Sequence, residues 1–301
     1  MIKQKVIAIT GPSSSGKTKL AIETAKALNG EIISVDSRQI YKELDIGSAK
    51  PSIKEREGIV HHLIDIVNVT DEYTAADFCD AASYIIDDIK RRGKMPILAG
   101  GTGLYFRILL QDFDLPRVAP DKKLREKLEQ KASTELYDML CSLDYAAAQK
   151  IHFNNKVKII RALEVCKTLG IPMSRARKKK ESKYQTLWVG LNSQNRDFLY
   201  DRINNRVEIM FEKGLMKEAE NLFNKYGKNK ILMSTIGYQE IFPYLNGDIT
   251  FETAKELLKK NTRRYAKRQI SWFKSNEDVH WFDIEKESFE KILDFIIGKQ
   301  I

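Results

Sequence analysis

Gly11-Pro12-Ser13-Ser14-Ser15-Gly16-Lys17-Thr18 follows the apolar run Val6-Ile7-Ala8-Ile9 and precedes a stretch with helical periodicity. Gly-x4-Gly-Lys-Thr between a strand and a helix is a phosphate-binding loop. Its backbone N–H groups and the helix N-terminus point at an anion, Lys17 reaches the outer oxygens, and Thr18 lies within reach of a magnesium ion. Gly11, Ser13, Ser14, Ser15, Gly16, Lys17 and Thr18 are therefore the candidate phosphate ligands. Many folds share this octapeptide. The rest of the chain must say whether the group is a nucleotide tail, a group in transfer, or a diphosphate that leaves.

Working outward, Lys5–Thr10, Glu31–Asp36, Met95–Gly100, Thr186–Leu191 and Val279–Asp283 read as buried parallel strands, short, apolar or β-branched, and separated by helical pattern. The first helix is predicted over Lys17–Leu28 and stops at Asn29-Gly30; the next runs from Tyr73 or Thr74 to Arg92. This rhythm predicts a doubly wound α/β sheet. Between the third and fourth strands, residues 116–184 show only helical patterns: Asp121–Lys131, Thr134–Cys141, Asp144–Ile151 and Asn155–Leu169. About seventy residues is too long for a loop and predicts an inserted helical subdomain. Helices at Asp197–Lys213, Leu215–Tyr226, Thr235–Leu245 (interrupted at Pro243) and Phe251–Lys274 follow the fourth strand.

Composition narrows the class. With 301 residues, 43% hydrophobic and 31% charged, the chain reads as globular rather than disordered or fibrous. Cys79, Cys141 and Cys166 are odd in number and widely spaced. They form no disulfide framework or zinc cluster, and a reducing cytoplasm fits them. The N-terminus enters a strand at once, leaving no room for a signal peptide, and no apolar run approaches a membrane span. The net charge of +10 says little by itself, but its distribution is uneven. Arg175 and Arg177–Lys180 put five cations in six positions, and the segment Lys255–Lys274 carries eight cations against the single acid Glu256. Such runs suit either solvent or a polyanion.

Ligands of an open parallel sheet sit beyond the carboxyl ends of its strands. Three features meet there: the phosphate loop, Asp36-Ser37-Arg38-Gln39, and Gly100-Gly101-Thr102-Gly103. Asp36 reads as a base facing a substrate, or as a helix cap or magnesium carboxylate. Gly100–Gly103 is either a tight turn or a second source of donors, with the Thr102 hydroxyl, for the same anion. The strand at 95–100 lacks the terminal acid of a P-loop hydrolase, so the pattern leans away from a switch-type nucleotidase. Arg202 and Arg206 lie one turn apart. Arg206 either pairs with Asp201 or Glu208, or reaches into the anion site to neutralise a leaving diphosphate.

Several blocks together resemble the bacterial tRNA dimethylallyltransferases. They are Gly11–Thr18, Ser34–Pro51, His61–Ile66, Tyr73–Phe78, Gly100–Phe106, His152–Asn154, Arg161–Val165, Thr235–Glu240 and Thr262–Phe273, in the family's order over nearly the whole chain. The resemblance implies an α/β fold: a P-loop NTPase-like doubly wound parallel sheet, residues 1–115 and 185–301, with an inserted all-helical subdomain, 116–184. It implies a magnesium-dependent transfer of the dimethylallyl group of dimethylallyl diphosphate to N6 of adenosine 37 in tRNAs reading codons that begin with U.

By the same resemblance Asp36 is the general base, Lys17, Thr102 and Arg206 serve the departing diphosphate, and Thr18 meets the metal. Ser37, Arg38 and Gln39 surround a flipped base, with Asp36 and Thr102 beside it. Val157, Lys158, Ile159, Ile160 and Arg161 meet the anticodon stem-loop, as Lys178 is expected to do, and Gln239, Lys267 and Arg268 line the RNA side. A cytoplasmic monomer is expected. Two departures stand out: Ser13 and Ser14 replace the usual Thr and Ala, and Val157-Lys158 stand where the family is more basic. The alternatives are a P-loop kinase of a nucleoside or small metabolite, binding ATP in the loop, and a non-catalytic RNA-binding module.

Overall fold

The computed structural model describes residues 3–111, 116–176 and 182–299. The chain divides into two compact units, residues 1–110 with 182–301, and residues 111–181.

In the first unit the strands are β1 (Gln4–Thr10), β2 (Gly30–Val35), β3 (His61–His62), β4 (Met95–Gly100), β5 (Tyr184–Asn192) and β6 (Val279–Asp283). All pair in parallel, in the order β3-β2-β4-β1-β5-β6. The alternation of β1 explains why the sheet is covered on both sides. Val6 and Ala8 enter one core with Phe78, Ile86 and Phe106, while Ile7 and Ile9 enter the other with Leu20, Ile292 and Ile296. Among the helices, α1 (Lys17–Ala27), α2 (Ala75–Arg91) and α3 (Gly103–Leu110) follow β1, β3 and β4. Thr74 and Asp77 close a reciprocal capping box at the start of α2.

The edge strand β3 is the element that periodicity does not reveal. Two histidines carry no alternation; they pair with Ile32 and Ile33 of β2, beside Glu31, which lies on β2 and is almost wholly buried. Its carboxylate receives His62 Nε2 at 2.8 Å, Arg92 Nη2 at 2.7 Å and Lys94 Nζ at 2.8 Å. These hydrogen bonds, Arg92's foremost, hold the Glu31 carboxyl well below the usual carboxylate range against the opposing effect of burial.

The second unit contains α4 (Lys122–Glu129), α5 (Ser133–Leu143), α6 (Tyr145–Ala148), α7 (Lys156–Leu169) and α8 (Met173–Ala176). It has its own apolar core, including Leu128, Leu136, Leu140, Ile159, Ile160 and Leu163. The first unit resumes after β5 with α9 (Arg196–Glu212), α10 (Leu215–Tyr226), α11 (Lys230–Met233), α12 (Ile241–Leu245) and α13 (Phe251–Phe273); α14 (Phe289–Gly298) follows β6. The short α3 and the terminal α14 are additional to the helices expected from periodicity. Around α10, α12 and the 40–46 segment lies a separate core centred on Tyr238 and Phe242.

Inside the second unit Glu164 is fully buried. Burial alone would raise its pKa, but Arg125, Arg161 and the Asp121 N–H all donate to its carboxylate and pull it down to about 2. A carboxylate depressed in the folded state stabilises fully above its ordinary value and loses that contribution as pH falls towards the folded value. Glu164→Gln should therefore destabilise this unit by about 2 kcal/mol at neutral pH. Hydrogen exchange of amides in 117–169 should show that deficit narrowing as pH drops from about 4.5 towards 2.

Candidate active site

The phosphate loop turns from β1 into α1 with Gly11 at φ 145° and Gly16 at φ 94°. Gly11 also lies so close to β5 that a Cβ would sit 2.3 Å from the Leu191 carbonyl oxygen, so no side chain fits there. Above the loop is a cavity of about 100 Å³ lined by Ser13, Ser14, Lys17, Thr18, Asp36 and Arg206, among others. It adjoins a larger cavity of about 290 Å³, whose wall includes Ser37, Arg38, Gln239, Met210, Leu258 and Arg268. Ser13, Asp36, Ser48, Ala49 and Tyr265 line both.

Asp36 stands where the two cavities meet. Its Oδ1 accepts the Arg38 N–H at 2.8 Å and, more weakly, the Gln39 N–H at 3.4 Å, so the carboxylate caps its own turn and is still presented to both spaces. The cap and the substrate-facing readings of this residue therefore describe one geometry. Lys17 Nζ donates to the Pro12 carbonyl at 2.6 Å. Burial pushes its pKa down to about 7; the charge of Arg206 pushes the same way and Asp36 opposes.

Arg206 is half-buried, and among the described residues it forms no ion pair within 4.0 Å. Burial lowers its pKa, against the pull of Asp36 and Glu55. Glu208, the partner that an ordinary surface pair would use, is held instead by Lys255 and by Lys259 at 2.9 Å. Lys17 and Arg206, both lowered by burial, thus have Asp36 as their common nearby carboxylate.

The second glycine turn brings Gly100 and Gly101 to the smaller cavity but turns Thr102 away from it. Thr102 lines neither cavity: its N–H donates to the Val35 carbonyl at 3.1 Å, and its hydroxyl accepts the Ser37 N–H at 3.1 Å and bonds Tyr265. Its place is behind Ser37 and Tyr265, which it orients. Burial and Asp36 raise the Tyr265 hydroxyl to about 12, so it stays protonated.

Sequence reasoning missed Gln269 as a site residue. This buried amide on α13 accepts the Ser13 N–H at 2.9 Å and donates to the Gly101 carbonyl at 3.1 Å. A polar residue in the buried register of Leu258, Ala266 and Phe273 was the available signal. Arg202, likewise, donates to the Ser14 carbonyl at 2.9 Å.

The remaining candidates scatter. Arg38 lines the larger cavity and reaches the Ser234 carbonyl at 3.2 Å; Gln39 lines the smaller one and accepts the Ser34 hydroxyl at 2.9 Å. Lys267 and Arg268 are exposed. In the second unit, Ile159 and Ile160 are buried in its core, and Arg161 is bound to Glu164 and the Val118 carbonyl. A partner would meet Val157 and Lys158 on that turn, with Val157 81% exposed. Helical geometry puts 159 and 160 on the face opposite 157 and 158, so of these five residues Val157, Lys158 and the partly exposed Arg161 reach the surface. Lys178, with Arg177, Lys179 and Lys180, lies outside the described residues.

The family model for IPP transferase matches residues 39–276. The chain belongs to the IPP transferase family. It is 46% identical over 297 residues to a tRNA dimethylallyltransferase of Acetivibrio thermocellus, covering 96% of this chain and 95% of that one. The corresponding protein of Carboxydothermus hydrogenoformans is 46% identical over 303 residues, covering 98% and 97%. Among solved structures, the full-length tRNA isopentenylpyrophosphate transferase of Bacillus halodurans superposes with a TM-score of 0.75 at 42% identity, covering 99% and 97%. A eukaryotic dimethylallyltransferase acting on tRNA superposes with a TM-score of 0.85 at 31% identity, covering 98% of this chain and 80% of that one. An IPP transferase places the chain with prenyl-transferring enzymes rather than with kinases.

The depressed Lys17 has a measurable consequence. Near pH 8 the empty site holds this amine largely neutral, and a bound diphosphate should draw a proton onto it. Calorimetry of inorganic diphosphate binding at pH 8, in two buffers of different ionisation enthalpy, should report proton uptake. Lys17→Arg, charged throughout, should lose the amine's share. Equal uptake by both proteins would place the Lys17 pKa well above 8.

Proposed function

We propose that this chain transfers the dimethylallyl group of dimethylallyl diphosphate to N6 of adenosine 37 in tRNAs that read codons beginning with U, releasing diphosphate. The observation that carries the reading is the position of Asp36 on the wall shared by a cation-lined phosphate cavity and a larger, mixed cavity. An allylic carbon gains cationic character as diphosphate departs, so stabilising charge on the leaving oxygens is the main task. Lys17 and Arg206 line that cavity with Ser13, Ser14 and Thr18 of the loop. A fixed guanidinium and ammonium there need no reorganisation as charge grows.

The adenine N6 amine is a poor base because its lone pair is delocalised into the ring. As the C–N bond forms, its proton must go to an acceptor, and the Asp36 carboxylate at the junction is that acceptor. The base leaves its stack to enter the larger cavity, at a cost of roughly a few kcal/mol, less for an unpaired loop nucleotide. Ser37, Arg38 and Gln239 would line its edge, and exposed Lys260, Arg264, Lys267 and Arg268 on α13 suit the phosphate backbone.

Magnesium fits the donor set. Thr18 lines the smaller cavity and offers a hydroxyl oxygen, the hard ligand this ion prefers, with diphosphate oxygens and water completing the shell. When bound, the ion adds Lewis-acid neutralisation of the leaving group. We further read the chain as a cytoplasmic monomer.

Incubation with unmodified tRNA and dimethylallyl diphosphate, followed by nucleoside mass analysis, tests the activity directly; absence of the prenylated adenosine would refute it. Asp36→Asn keeps an oxygen for the Arg38 and Gln39 N–H groups, so the turn should survive. Turnover should fall about 10²–10⁴-fold with tRNA affinity within a few-fold, and a near-normal single-turnover rate would remove Asp36 from the chemistry. Arg206→Ala should slow single turnover by about 10²-fold or more, exceeding its effect on dimethylallyl diphosphate binding, because the interaction strengthens toward the transition state. Lysine there should rescue only in part. Loss of tRNA affinity with the saturated rate intact would make Arg206 an RNA contact instead.

A further inference from the structure

The phosphate loop is gripped from outside by two side chains, and both come from the same helix pair. Gln269 of α13 holds Ser13 and Gly101 through the two ends of one amide, and Arg202 of α9 holds the Ser14 carbonyl. The grip leaves no slack at the glycine turn, since a Cβ on Gly101 would lie 1.9 Å from Gln269 Nε2. The two helices are themselves locked together. Glu208 binds Lys255 and Lys259, and Arg263 donates to Asn204 and lies over the Tyr200 ring.

One stripe of α13 is thereby neutralised against α9, while Lys260, Arg264, Lys267 and Arg268 stay exposed on the other side. These four stand three, four, seven or eight residues apart, except for the adjacent pair 267–268, and repel one another until a polyanion screens them. Gln269 follows directly after that pair but points inward, 5% exposed. Its oxygen accepts the Ser13 N–H, so that loop donor is held by Gln269 rather than left to a bound anion. The same residue thus touches the anion cradle at one end and is carried by the cation-bearing helix at the other.

Resting on the function proposed above, we infer that Gln269 is a positioning residue that couples RNA engagement on α13 to the diphosphate loop. RNA docking sets the position of α13, and Gln269 passes that setting to Ser13 and Gly101. Each substrate then raises the affinity of the other by the same factor, as linkage demands.

The test is calorimetric titration of inorganic diphosphate into the protein, alone and saturated with an unmodified tRNA anticodon stem-loop. Wild type should bind diphosphate at least about fivefold more tightly with RNA present. Gln269→Met, similar in shape but without the amide, should bring that ratio to one while leaving RNA affinity nearly unchanged, with a modest fall in the unfolding midpoint from the two backbone groups it leaves unpaired. Gln269→Asn, one methylene too short to span both contacts, should do the same. A wild-type ratio of one, or a wild-type ratio preserved in either variant, overturns the coupling. If RNA binds and is prenylated while the ratio is one, the coupling fails alone. If RNA does not bind, the functional reading fails and the coupling with it.

Discussion

Lys17 and Arg206 are held beside Asp36 where burial lowers the pKa of both, and the strand ends of the first unit are what bring them there. Unpaired charge in a poorly hydrated place is unfavourable unless the frame is rigid and a counter-ion is supplied in use. The frame comes from strands β1, β2 and β4, whose carboxyl ends bring the phosphate loop, Asp36 and the Gly100–Gly103 turn to one edge. The counter-ion comes with the substrate. A site in this condition gains affinity and selectivity for a multiply charged ligand together.

The long helix α13 reconciles two demands that conflict on an isolated helix. A row of like charges disfavours helix formation, yet RNA binding needs such a row. Glu208 and Asn204 on α9 absorb one stripe, and Leu258, Ala266 and Phe273 bury the apolar side. Only the remaining cations face solvent. The basic composition of this segment therefore serves two ends, internal cross-linking and surface charge, which net charge cannot tell apart.

In the second unit the same economy appears around Glu164. A buried carboxylate satisfied by two arginines and a backbone N–H fixes the start of α4 against α7. Removing one partner leaves the others without compensation, which makes such a cluster specific as well as stabilising. Arg161, whose place in the sequence suggests a surface cation, belongs to this cluster.

Local chemistry made much of the protein legible in the chain. A strand followed by Gly-x4-Gly-Lys-Thr permits few backbone paths, buried parallel strands announce themselves as short apolar runs, and seventy residues of purely helical pattern cannot be a loop. That the phosphate-loop residues and Asp36 meet at one cavity was readable for that reason: each sits at a strand end whose position is dictated by the sheet. What the chain could not disclose depends on contacts between residues far apart in it. The two-residue strand β3 pairs with Ile32 and Ile33 of β2, where His62 also meets the buried Glu31 that Arg92 and Lys94 hold. Thr102 turned out to support Ser37 and Tyr265 from behind, and Ile159 and Ile160 face a core that only packing defines. Gln269 reaches the phosphate loop across 256 positions of sequence. Side-chain partners of this kind are chosen by the packing of whole helices, a long-range property that composition, periodicity and spacing do not encode.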